Sequence, residues 1–168
     1  MTDKLHQTKG IVLRAVKYGE TSLIVSILTA KFGVQSYIIN GVRSSAKTAS
    51  GKASYFQPGA ILELVAYHSE FKQLHRLKEY RFSFVYRELL QDVEKNTVML
   101  FMIELLGKCM KQAEENLEQF DFVEDALLHL DRLPIKNLAL YPSFFGYMLH
   151  IPDFTQMRSL PVLRGILR

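Results

Sequence analysis

Arg43, Lys47 and Lys52 sit in a stretch, residues 41–52, that is otherwise almost all Ser, Ala, Thr and Gly. A segment with so little to bury stays at the surface, where its cations can follow an anionic polymer such as a phosphodiester backbone. Lys9, Arg14 and Lys17 line the first apolar run of the chain. Arg76 and Lys78 share one parity of a later run, so both leave the same side of a strand. Interleaved with these charges are Tyr18, Phe32, Tyr37, Tyr55, Phe56, Tyr67 and Phe71. A sequence-tolerant single-strand binder needs both features, because every phosphate presents a charge and every base a π-face. The binding set expected from the sequence is Arg43, Lys47, Lys52, Arg14, Lys9, Lys17, Arg76, Lys78 and Tyr37. Most of the other aromatics are expected in a core, and about half of the Lys and Arg as plain solvated surface.

Catalytic chemistry is not indicated. There is no Gly-x-Ser-x-Gly elbow, no Gly-rich phosphate loop ending in Lys-Ser/Thr and no His-Glu-x-x-His. The five histidines, His6, His68, His75, His129 and His150, are scattered along the chain with no pair at metal-ligand spacing. Cys109 is the sole cysteine, which excludes an internal disulfide and a multi-cysteine zinc site. It falls in the most apolar stretch, where an inert buried thiol is the natural reading. No enzyme activity, metal or cofactor is expected.

The elements that must carry the cations change character half-way along. Residues 9–18, 21–29, 35–40, 60–67 and 73–81 alternate apolar and polar and read as five short strands, the first three joined by tight turns and the longest irregular link falling after the third. Helical spacing follows. A short helix is expected over residues 84–93, then one capped by Asn96 and running through Val98, Phe101, Leu105 and Cys109. That helix is apolar nearly all round, which suits the centre of a bundle. Asn116 is the expected cap of a third helix, through Phe120, Val123 and Leu127, closed by Pro134; residues 135–149 form a fourth, broken near Pro142. The fold class is α+β, all-β then all-α, with a five-stranded OB-fold barrel at residues 1–81 and a helical bundle at 82–168, packed without a linker. An SH3-like barrel has a similar strand count and is poorly separated from it by sequence.

Net charge is +4, unevenly spread. Residues 1–80 hold eleven Lys/Arg against five Asp/Glu, and residues 81–168 hold ten against twelve. A basic barrel and a slightly acidic helical part suggest different partners. The N-terminal residues lack a signal-type apolar core, and no apolar run is long enough to cross a bilayer, so a cytoplasmic location and no membrane partner are expected.

Thr8-Lys9-Gly10-Ile11-Val12-Leu13, then Lys17-Tyr18-Gly19-Glu20-Thr21 and Ile24-Val25, resemble the opening of the RecO family. Phe32-Gly33, Asn40-Gly41-Val42-Arg43-Ser44-Ser45 and Phe56-Gln57-Pro58 match later landmarks of that family in order and spacing. The resemblance implies an OB-fold that binds single-stranded and duplex DNA, anneals complementary strands and helps load recombinase in DNA repair. It also implies single-strand-binding protein and another recombination mediator as partners, and association with the nucleoid. Arg43 is the DNA contact carried over by the match; Lys47 and Lys52 follow by position and charge. Residues 82–150 resemble the family's helical domain by hydrophobic pattern alone. Many members carry a four-cysteine zinc site there, which this chain lacks, and the helical domain is expected to be incomplete relative to the family. Residues 156–168 match nothing in it. A protein-interaction adaptor and an RNA-binding module remain the alternative readings, since RNA binding uses the same physics.

Overall fold

The computed structural model describes residues 4–42, 52–69, 72–110 and 117–134. Arg43, Lys47, Asn116, the helix expected at 135–149 and the segment 156–168 lie outside the described residues. Five strands, β1 (Lys4–Tyr18), β2 (Ser22–Thr29), β3 (Gly33–Ile39), β4 (Ile61–His68) and β5 (Leu74–Phe82), form a closed barrel in the order β1-β2-β3-β5-β4. All neighbours are antiparallel except β3 and β5, which run parallel, as the Greek-key path of an OB-fold requires. β1 begins five residues before its apolar alternation does. Its mostly polar start, Lys4 to Gln7, is held by pairing with β4 from His68 to Val65, so the partner strand rather than local pattern extends it.

Side-chain parity switches part-way along β1. Val12 opposes Ile27 but Arg14 opposes Ser26, so a bulge sits at Leu13. Before it Gly10 and Val12 face the barrel interior, and after it Ala15 does. The interior is filled by Val12, Leu23, Val25, Ile27, Tyr37, Ile39, Phe56, Leu62, Leu64 and Ala66. At Gly10 a Cβ would stand 2.5 Å from Ile27 Cγ2 and 2.7 Å from Leu64 Cδ1. Gly10→Ala is therefore expected to lower stability by about 2 kcal/mol through overpacking. A urea midpoint equal to that of the parent would remove this account.

Ile11 pairs with both Leu28 and Ile61, and all three are buried although they lie outside the interior cluster. This row lies on the outer wall, on the side where α1 (Val93–Cys109) packs against β1. Gly59, at φ +83°, lets Met99 of α1 come so close that a Cβ there would meet its sulfur at 2.4 Å. Tyr86 donates its hydroxyl to the Gly59 carbonyl (2.7 Å), and Lys9 pairs with Glu124 of α2 (Leu117–Arg132) at 2.9 Å. Backbone contacts group Met1–Asp131 as one compact unit and Arg132–Arg168 as a second.

The short helix expected at 84–93 does not form; the chain turns there instead. Asp131 explains it, because its carboxylate accepts the backbone N–H groups of Arg87, Glu88 and Leu89 at 2.8–3.1 Å and holds them in a turn. α1 is capped by Asp92, not Asn96: the Asp92 side chain accepts from Lys95 N at 2.9 Å, and Asn96 N already donates to the Asp92 carbonyl. Nor is α1 enclosed on every side, since Val93 and Leu100 are 80% and 44% exposed. No helix among the described residues is long and apolar enough to cross a membrane.

Candidate nucleic-acid interface

The barrel wall away from α1 carries a ladder of outward residues set by strand register. Arg14 opposes Ser26, Ser26 opposes Ser36, and Ser36 opposes Leu74. One row along, Val16 opposes Ile24, Ile24 opposes Ile38, Ile38 opposes Arg76, and Arg76 opposes Tyr67. Directly opposed residues share a face, so each row runs across the outside of the sheet. Arg14 and Arg76 are exposed, Val16, Tyr18, Tyr67 and Leu74 are 38–52% exposed, and Ile24 and Ile38 are partly covered. The result is a low strip of hydroxyl and aliphatic groups with a guanidinium at each side and tyrosines at its ends. It lies between the β1–β2 turn at Gly19 to Thr21 and the β4–β5 connection after His68, the region where OB-folds hold oligonucleotides.

The expected binding residues divide over this frame. Arg14 and Arg76 flank the strip, and Lys17 is exposed at the rim beside it. Lys78 is also exposed, 3.8 Å from Glu79, but it stands at the β4–β5 register shift between Val65 and Ala66. Simple alternation with Arg76 therefore does not hold there. Lys52 is exposed where a 3-10 turn, Ala53–Phe56, begins. Lys9 is drawn to the opposite wall: both Glu124 oxygens accept from its Nζ, at 2.9 and 3.0 Å, so its charge joins barrel to helix.

Tyr37 is a correction. It is fully buried in the barrel interior, its ring 5.8 Å from that of His75. Burial raises its hydroxyl pKa far above the ordinary value, and no base can stack on it. Its parity, shared with Ile39 and Gln35, points it inward; Ile38 and Ser36 take the outer face. The sequence reading passed over Val16, Ile24 and Ile38. Ile24 shares the parity of Ser22 and Ser26, the polar face of β2, and that was the available signal.

Three of the histidines read as scattered come together. Phe32 stacks on His68 at 3.9 Å and 12°, His68 stacks on His75 at 4.7 Å and 27°, and His6 meets Phe32 and His68 edge-on. Among the described residues no group of three His, Cys, Asp or Glu is arranged to hold a metal. The rings form a packed column at one end of the barrel.

Residues 1–86 match the family described as recombination protein O N terminal. The chain belongs to the RecO family. A protein named DNA repair protein RecO from Flavobacterium psychrophilum is 39% identical over 89% of this chain and 63% of its own length. Its namesake from Flavobacterium johnsoniae is 34% identical over 90% of this chain and 65% of its own. A RecO from Bacteroides fragilis is 30% identical over 91% and 67%. This chain thus spans just under two thirds of the length of the first two relatives. The RecO match covers the whole barrel and ends at Tyr86, the residue that ties the barrel to the turn before α1.

Proposed function

We propose that this chain binds DNA through its barrel and serves DNA repair as a recombination mediator. It engages single-stranded and duplex DNA, promotes annealing of complementary strands and assists loading of recombinase. The observation that carries the reading is the outward strip bounded by Arg14, Arg76, Tyr18 and Tyr67 on a barrel of RecO type. Guanidinium groups at its sides suit phosphates, and the aliphatic and tyrosine surface suits unpaired bases. The work is binding rather than bond-making, so no catalytic residue is assigned. Residues 1–81 are the nucleic-acid-binding part, and 82–168 is the part that meets single-strand-binding protein and a second mediator in the cytoplasm.

Salt titration of binding to labelled single-stranded DNA, duplex DNA and RNA tests this directly. Affinity should fall steeply with salt and depend little on base sequence. Arg14→Ala and Arg76→Ala should each weaken binding for all sequences alike and flatten the logarithmic salt slope by about 0.7 on single strands. Binding that ignores salt, or a clear preference for RNA, overturns the assignment.

Arg43 and Lys47, which follow β3 in sequence, and the exposed Lys52 supply further cations for the same ligand. Arg43→Ala should cost about 1 kcal/mol of DNA affinity, the scale of a charge-assisted hydrogen bond, with little change in melting temperature. A variant that melts several degrees lower yet binds as the parent does would move Arg43 from the interface to the fold.

A further inference from the structure

Strand register sets the outward residues of β1, β2 and β3 in parallel rows. One row is Arg14, Ser26 and Ser36, and the next is Val16, Ile24 and Ile38. Beyond it Tyr18 opposes Ser22, whose Oγ donates to Asn40 Oδ1 at 3.1 Å. The middle row is therefore aliphatic across three strands, has hydroxyl and amide groups along both sides, and meets Arg76 where it reaches β5. The barrel core does not account for it. Leu23, Val25 and Ile27 of β2 fill the interior from the other parity, whereas Val16 is 43% exposed and Ile24 and Ile38 are only partly covered. Neighbouring strands lie about 4.8 Å apart, so the row makes an apolar floor about 10 Å across.

We propose that the Val16–Ile24–Ile38 row is a floor for unpaired bases, and that it is what lets the barrel distinguish a single strand from duplex. This rests on the nucleic-acid reading above and names the residues that set its ligand class. Arg14 and Arg76 meet phosphates, which both forms of DNA present, so they cannot tell the two apart. An unpaired base has a flat face to lay on the floor; inside a duplex both faces are covered by stacked neighbours. The gain from removing apolar area from water is thus made with the single strand alone. Serine hydroxyls beside the floor donate or accept equally, so they serve base edges without selecting among bases.

Ile24→Thr and Ile38→Thr keep the β-branched shape and strand preference while replacing an ethyl group with a hydroxyl. Together they should weaken binding of labelled oligo-dT about tenfold, as the loss of about two methylene groups of apolar contact implies. The salt slope should not change, because no cation is removed. Affinity for a blunt duplex, and for an abasic strand of the same length, should stay as in the parent, since both offer phosphates and no free base face. A loss shared by the duplex or the abasic strand, or no loss on oligo-dT, overturns the floor and leaves the barrel reading in place. If the parent binds none of the three, both readings fall. Should circular dichroism show the double variant unfolded, Val16→Thr decides, being isosteric and at an exposed position. It should weaken oligo-dT binding alone, and affinity equal to that of the parent overturns the proposal.

Discussion

Asp131→Ala is expected to lower unfolding free energy by about 3 kcal/mol, the scale for removing one partner from a buried charged network. Asp131 is 2% exposed, and three backbone N–H groups from Arg87, Glu88 and Leu89 converge on its carboxylate. Its own carbonyl accepts from Lys95 Nζ at 2.9 Å, and the same ammonium reaches Glu88 Oε2 at 2.6 Å. Alanine leaves those donors without their acceptor and the buried Lys95 with less negative charge nearby. Burial by itself works to raise the Asp131 pKa, but the hydrogen bonds from Glu88, Leu89 and Arg87 and the charge of Lys95 outweigh it, and the net shift is downward. A depressed folded pKa means that the carboxylate stabilises the fold above its unfolded value, near pH 4, and that this contribution fades as pH falls through the lower folded value. Urea unfolding of the parent and Asp131→Asn at neutral and acid pH checks the sign. The gap between them should be wide at pH 7 and close as pH drops below the ordinary carboxylate range. A gap independent of pH would show that the charge of Asp131 is not what holds the turn.

Phe56→Ala should cost still more, about 4 kcal/mol. Phe56 is 2% exposed, its ring lies 4.8 Å from that of Tyr80, and it belongs to the barrel interior although it comes from a 3-10 turn outside the sheet. The side chain closes one end of the barrel, where Tyr55, stacked on Phe82 at 4.3 Å, lies over Tyr80. A cavity there cannot collapse, because closed strand pairing on every side keeps the wall in place. Thermal and urea unfolding should both register the loss. Below its melting temperature the variant should keep the salt-dependent DNA binding proposed for the Arg14 and Arg76 face, which is remote from the barrel interior that Phe56 fills. A variant as stable as the parent would mean that the barrel end is open.

Strand count, turn positions and the switch from period-two to helical spacing were legible in the sequence, since each is a local consequence of side-chain chemistry. Ser22 and Ser26 outward with Leu23, Val25 and Ile27 inward is an example: one face of β2 is apolar because it meets a core. The ordered motifs from Thr8 to Pro58 likewise carried the family. Arg14 and Arg76 were named for their charge, and both flank the strip. Tertiary structure alone decided the rest. The Leu13 bulge reverses parity within one apolar run, and only the pairing of β1 with two partners reveals it. Tyr37 went inward and Ile38 outward because register against β2 and β5 assigns the faces of a strand whose residues suit either. Lys9 was committed to Glu124, more than a hundred residues away, and Asp131 turned a helix-like stretch into a loop by accepting its N–H groups. His6, His68 and His75 met in one column because barrel closure brings β1, β4 and β5 together at that end. Local pattern records what a residue prefers; closure of the barrel and docking of the helices determine which neighbour it meets, and that depends on chain segments too distant for any sequence window to join.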